Sequence, residues 1–227
     1  MVIAGASVAF AGGTASGATR GKGDVQIART ATFVLADFPT GFRQEASTAS
    51  SNADNIKAAK GIAGCAPYVA VQKLTAALPR ARSADFKDDS RTISNEVDVF
   101  RSDRAAGDAL NLYAKSSTVG CLEHLFEKSV RSDADPVAKL DDVLVTLERQ
   151  DIAGLGDDSV VYEGTVKLTA TDRSTTKIGV GVAAVQVGRA VDAVTYLTTD
   201  KDLTEILTPA IDASVARLRT ALAKGTA

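Results

Sequence analysis

From Lys177 to Ala223 the chain reads as two valine-rich strands, a two-residue turn and a long amphipathic helix, and this run constrains the fold more than any other. Val180, Val182, Val185, Val187, Val191, Val194 and Leu197 supply the β-branched, apolar density that favours strands. Gly188-Arg189 separates the two runs, and glycine at the first central position suits a type II′ hairpin turn. That turn sets Val187 opposite Ala190. One face of the ribbon then carries Val180, Val182, Ala184, Val191, Ala193 and Leu197. The other carries Val185, Val187, Asp192, Val194 and Tyr196. Leu203, Ile206, Leu207, Ile211, Val215, Leu218 and Leu222 recur at helical spacing, so the following helix can cover one face of such a sheet. The second face, with Val185, Val187, Val194 and Tyr196, then calls for a partner, a ligand or another helix. Thr208-Pro209 predicts a kink, or a break into two shorter helices.

The rest of the chain fits around this unit. Val143 to Leu147, Ser159 to Leu168 and Ile178 to Val187 read as strands joined by Gly154 to Asp158 and Asp172 to Thr175. With Val191 to Leu197 they form an antiparallel meander. Ile93, Asn95, Val97 and Val99 alternate with Thr92, Ser94, Glu96 and Asp98, the period of a half-buried strand. Between strands lie helical stretches. Asp54 to Lys60 stops near Gly61 and Gly64, and Pro67 suits the first turn of a helix with Val69, Leu74, Ala77 and Leu78 as its apolar side. Ser102 caps a helix through Ala106, Leu110 and Tyr113, and Cys121 opens or punctuates another with Leu122, Leu125, Phe126 and Val130. Gly21 to Asp24 reads as a flexible lead-in, Val25 to Leu35 as a strand or short helix, and Phe86 to Arg91 as a charged connection. Pro39 and Gly41 mark a turn flanked by Phe38 and Phe42.

The expected fold is therefore α+β: an antiparallel sheet of about four to six strands, helices packed mainly on one face and one disulfide linking two helices. A single domain spans residues 25–223. Hydrophobic residues make up 45% of the 227, enough for a sizeable core, and with aromatics at 5% that core is mostly aliphatic. A net charge of −2 and scattered Lys and Arg exclude a dedicated nucleic-acid binder, which would show a basic face.

Residues 1–18 carry no ionisable side chain, and Val2 to Ala11 has the length of a signal-peptide apolar region, too short for a membrane span. Ser16-Gly17-Ala18 offers small residues for cleavage, and no Cys follows to take a lipid anchor. The reading is a signal peptide or its remnant, against an apolar strand or helix of the fold. No transmembrane segment is expected. Localisation is then secreted, extracellular or cell-envelope. Two cysteines, Cys65 and Cys121, favour a disulfide in that compartment, closing a loop of about 56 residues. The alternatives are two buried free thiols or metal ligands, and two Cys with one His do not complete a zinc site.

Chemistry is harder to find. Gly21-Lys22 lacks the spacing of a phosphate loop, no G-x-G-x-x-G or G-x-S-x-G occurs, and Gly179 and Gly181 lie in a valine strand where small residues let Tyr196 pack closely. His124, the only histidine, follows Cys121 by three, but a disulfide would remove the thiolate that a Cys-His nucleophile needs. Asp133-x-Asp135, Asp141-Asp142 and Asp157-Asp158 are the acidic clusters. None has EF-hand spacing, and they read as turn or helix-start acids before they read as a calcium site. A carboxylate pair for sugar hydrolysis remains open, although a chain with no Trp lacks the usual stacking residues.

Several short motifs together resemble a family. Leu35-Ala36-Asp37-Phe38-Pro39-Thr40-Gly41-Phe42 is similar to the L-x-A-D-L-P-x-G-W opening of secreted and lipoprotein sensor-like domains of actinobacteria. The extracellular sensor domain of the mycobacterial serine/threonine kinase H is one of these. A Cys before a helix, Val97-x-Val99-Phe100, a second Cys at 121, Gly156-Asp157, the Val185 to Val191 hairpin and Ala216-Arg217-Leu218 extend the likeness over about residues 33 to 222. The chain departs from the pattern in having one bridge where that domain has two, and Phe38 and Phe42 where Leu and Trp are usual. The resemblance implies a disulfide-stabilised α+β domain with a groove for a ligand, and no catalytic residues. The expected function is an exported, non-enzymatic binding or sensor-like domain for a small apolar ligand or a protein partner at the cell envelope. The competing reading is a structural or self-assembling envelope subunit, a homo-oligomer among them, with an unrecognised secreted hydrolase third. No cofactor, metal, catalytic or ligand-binding residue is assigned.

Overall fold

A computed structural model describes residues 19–133, 140–199 and 204–225. The expected signal peptide at 1–18 lies outside them. The elements run α1 (Thr19–Ala31), a 3-10 turn (Leu35–Asp37), β1 (Arg43–Glu45), α2 (Asn52–Ala59) and α3 (Ala66–Thr75). Next come β2 (Arg80–Arg82), β3 (Asp85–Lys87), β4 (Arg91–Val99), α4 (Asp103–Tyr113) and α5 (Ser116–Asp133). The chain closes with β5 (Leu140–Gln150), β6 (Asp158–Ala170), β7 (Thr175–Val187), β8 (Ala190–Thr198) and α6 (Thr204–Gly225). All pairings are antiparallel, in the order β1-β3-β4-β8-β7-β6-β5, with β2 alongside β4 just beyond the end of β3. Among the described residues the sheet has eight strands, more than the four to six expected.

The organising hairpin forms as its residues dictate. Val187 pairs with Ala190, and Gly188 takes φ +50° while Arg189 stays at negative φ, as a II′ turn requires. The face with Val180, Val182, Ala184, Val191 and Ala193 packs on Tyr68 and Val71 of α3, Leu110 and Tyr113 of α4, and Leu122 and Phe126 of α5. The face with Val185, Val187, Val194 and Tyr196 packs on Ala28 and Ala31 of α1 and on Ile211, Val215 and Leu218 of α6. A stack of rings closes its end: Phe38 lies 5.0 Å from Phe42 and 4.8 Å from Phe86, with Phe33 edge-on.

Helices cover both faces, not mainly one as expected, and of the three ways to cover Val185, Val187, Val194 and Tyr196 the protein uses its own helices, α1 and α6. The physical reason is α1, whose Gly-rich start concealed it: Gly21 to Asp24 is helix, not a flexible lead-in. Asp24 pairs with Arg189 at 2.6 Å and Ile27, Ala28 and Ala31 are buried. α6 runs unbroken through Pro209.

Phe86 and Lys87, the start of the expected charged connection, belong to β3, and β2 precedes it; pairing with β4 rather than any local pattern makes both of them strands. On α3 the buried side is Tyr68, Val71, Gln72 and Thr75, while Leu74 is exposed, so the helical period holds but its phase is set by polar residues. The disulfide forms between Cys65, just before α3, and Cys121 in α5, with Cα atoms 4.9 Å apart. It pins the helices over the first face.

Gly181 illustrates why the meander tolerates so little change. A Cβ there would sit 2.0 Å from the Tyr196 ring, as the Gly179-x-Gly181 pattern predicted. Gly181→Val should therefore destabilise the protein by about 2–3 kcal/mol, read from urea denaturation, and the double variant with Tyr196→Ala should recover part of that loss. An unchanged midpoint in the single variant would show that the ring moves aside freely.

Candidate functional site

The chemistry-bearing residues gather in two buried polar sites, one on each side of β4. The first lies under α2 and α3. Antiparallel register sets Arg80 opposite Asp98 and Arg82 opposite Glu96, so four charged groups share the face of β4 that Ser94, Glu96 and Asp98 form. Arg80 approaches Glu96 at 3.2 Å and Asp98 at 3.6 Å, and Arg82 reaches Glu96 at 2.6 Å. The side chains of Arg80, Glu96 and Asp98 are 5%, 2% and 4% exposed. Burial pushes both carboxyls well above the usual carboxylate range, Glu96 further through the charge on Asp98, and the two guanidiniums pull them back.

The helices complete the set. Arg80 Nη1 donates to Asn52 Oδ1 at 2.6 Å and Nη2 to the Thr75 carbonyl at the end of α3. Asn52 in turn donates to the Gln72 carbonyl at 2.8 Å and to Thr75 Oγ1 at 3.0 Å. Buried Tyr68 and Tyr113 lie near, their phenols raised by desolvation first and by the cluster's carboxylates second. Two guanidiniums face two carboxyls, and the side chains of Arg80, Glu96 and Asp98 are buried. Acid–base or nucleophilic chemistry needs a path for substrate, and Glu96 and Asp98 face packed helices instead. The cluster is an anchor that fastens α2 and α3 to the sheet.

The second site lies on the opposite face of β4. Asp192 of β8 is fully buried, with its carboxyl against Asn95 Nδ2 at 2.8 Å and Ser214 Oγ of α6 at 2.5 Å. Asn95 Oδ1 accepts from the Phe33 backbone N–H at 2.8 Å, and Ser214 Oγ sits 2.8 Å from the Ala31 carbonyl that ends α1. Burial raises the Asp192 carboxyl to about 6, opposed by the hydrogen bonds from Ser214 and Asn95 and by the charge of Arg217. Arg217 donates to the Thr30 and Thr32 carbonyls and forms a bidentate pair with Asp37 at 2.7 Å. Side chains of α6 thus cap the C-terminus of α1, a role usually filled by local residues.

The residues singled out from sequence do not converge. His124 stands on the outer side of α5, 61% exposed, with Glu127 Oε2 3.9 Å away, and Cys121 is in the disulfide, so no Cys-His pair forms. Asp141 and Asp142 are exposed, and Asp157 accepts from the Gly188 N–H and pairs with Arg219 at 3.2 Å. Asp135 lies outside the described residues, as does the side chain of Asp133. Among the described residues no group of three or more His, Cys, Asp or Glu is placed to hold a metal ion. Sequence reasoning missed Arg80, Asn95 and Asp192 as a set. The available signal was a polar residue on the apolar face of each of two strands, Asn95 and Asp192.

One sheet surface remains in water. Rows across the ladder put Leu144 beside Lys167, Thr146 beside Thr165 and Glu148 beside Glu163, on the face that α6 covers only over β7 and β8. Leu144 is 52% exposed, Thr146 and Thr165 share a hydrogen bond at 3.2 Å, and Glu163 accepts from Tyr196 at 2.6 Å. β5 is the sheet's outer edge, and the Glu123 carboxylate of α5 caps it by accepting from the Leu147 N–H at 2.8 Å. No family model matches this chain, and no curated protein matches it.

Proposed function

We propose that this chain is an exported, non-enzymatic binding or sensor-like module of the cell envelope, and that its contact surface is the outer face of the β5–β6 ribbon. The resemblance to actinobacterial sensor-like domains supports the class. The observation that carries the surface is Leu144, a large apolar side chain more than half exposed amid Thr146, Thr165, Lys167 and Glu148. An apolar centre with a polar rim is the anatomy of a protein contact, and no helix of the described residues covers it. The occupant is a protein partner. The disulfide and the helices packed on the opposite face of β5 and β6 give that partner a rigid platform. Wild-type protein should bind an envelope protein saturably, and Leu144→Asp should weaken that binding about tenfold or more with little change in melting temperature. The measurement is calorimetric titration against the purified partner found by photo-cross-linking at position 146. Equal binding by the variant, or no saturable binding by the wild type, would reject this reading.

A further inference from the structure

The hydrogen bonds around Asp192 leave one hydrogen unaccounted for unless the carboxyl itself carries it. Asn95 Oδ1 receives the Phe33 N–H, which fixes the amide so that Nδ2 donates to Asp192 Oδ1. At the other end, the Ala31 carbonyl can only accept. Ser214 has one hydroxyl hydrogen and two oxygen neighbours, Ala31 O at 2.8 Å and Asp192 Oδ2 at 2.5 Å. If that hydrogen goes to Ala31, the contact between Oδ2 and Oγ needs a hydrogen from Asp192. If it goes to an ionised Asp192, two oxygens without a hydrogen face each other at Ala31, and the carbonyl that ends α1 loses its donor.

We propose that Asp192 is a buried neutral acid that latches α1 to α6 and the sheet, and that loss of its proton loosens α1. The protonated arrangement satisfies every partner in one direction: Phe33 to Asn95, Asn95 to Asp192, Asp192 to Ser214, Ser214 to Ala31. α6 offers Ser214 and the charge of Arg217, which Asp37 neutralises; β4 offers Asn95, while Glu96 and Asp98 point to its opposite face. Val185 of β7, opposite Asp192, is apolar, and α1 presents Ala28 and Ala31. Nothing there compensates a full negative charge except Arg217, already committed to Asp37 and to the carbonyls of Thr30 and Thr32.

The sign follows from burial, which raises the folded carboxyl above its unfolded value. The folded state holds the extra proton, so the latch is fully closed below about pH 4 and is lost as pH rises through about 6. Asp192→Asn tests this directly, because an amide at 192 keeps the protonated pattern: it accepts from Asn95 and donates to Ser214. In wild-type protein the Asp192 carboxyl carbon, followed by NMR, should titrate well above an ordinary aspartate. Exchange protection of α1 amides, corrected for intrinsic rate, should fall about tenfold between about pH 4.5 and 7.5. In Asp192→Asn that fall should vanish, while Ser214→Ala should lower protection of the same amides at both pH values. The shared background from Glu96 and Asp98 is present in all three proteins. An Asp192 carbon already ionised at pH 4.5, or equal pH dependence of α1 protection in wild type and Asp192→Asn, overturns the proposal.

Discussion

Arg80→Ala should destabilise the protein by about 3–5 kcal/mol, among the largest effects available to a single substitution in this chain. The substitution removes one of the two cations that face Glu96 and Asp98, leaving Arg82 alone beside two buried carboxyls. It also removes the donor to Asn52 Oδ1 and to the carbonyl that ends α3, and buried polar atoms left without partners add their own penalty. Because Asn52 starts α2 and Thr75 ends α3, both helices should lose their fastening at once. Urea denaturation followed by far-ultraviolet circular dichroism reads the loss. A contrasting variant sharpens the cause: replacing Arg80, Arg82, Glu96 and Asp98 together by apolar residues of similar size should cost less than Arg80→Ala alone. A single-variant loss below about 1 kcal/mol would mean that the cluster is solvated in solution and anchors nothing.

The double variant Cys65→Ala, Cys121→Ala should lose about 4 kcal/mol, from the entropy regained by an unfolded chain freed of a cross-link between residues 56 apart. For a chain of this size the melting temperature should fall by about 10 °C. The two cysteines are 1% and 0% exposed, so a thiol reductant should not reach the bridge until α3 or α5 opens. Reduction in native buffer should accordingly be slow and should accelerate in mild denaturant. A variant within about 1 kcal/mol of wild type would place the stability of this face in packing alone. The two losses should not add, because Cys65 and Thr75 bracket the same helix.

Much of the sheet was legible because its signals are local. The register of β7 and β8 follows from a glycine at one turn position, and the sorting of Val180 and Val185 to opposite faces follows from a period of two. The Ser102 cap and the Phe38 and Phe42 anchors were readable for the same reason, and the cysteine pair because two cysteines allow a single pairing. What escaped depends on distant residues. β2 is Arg-Ala-Arg, which has no strand signature until Asp98 and Glu96 arrive opposite it. α1 begins among glycines and is held at its end by Ser214 and Arg217, more than 180 residues away, as the Ala31 and Thr30 contacts at separations of 183 and 187 show. The polar residues on β4 looked like the wet side of a half-buried strand, and only the pairing with two arginines makes that side dry. The candidate site left a trace in the sequence at two positions that the reading passed over, Asn95 and Asp192, polar residues on apolar faces.

The place of β8 has a consequence for the order of assembly. Among the described residues it is the last strand, yet it lies between β4 and β7 near the middle of the sheet. Until it is present, β4 with its short neighbours and the β5–β7 meander are two separate pieces, neither joined to the other by a backbone hydrogen bond of the ladder. α6, which with α1 closes the second face, comes later still. A ribosome or a translocation pore that releases this chain from its N-terminus therefore delivers an unfinished molecule until nearly all of it has emerged. Pairings of such long sequence separation make folding slow, and the exposed edges of β4 and β7 are where a helper or a wrong neighbour would bind in the interval.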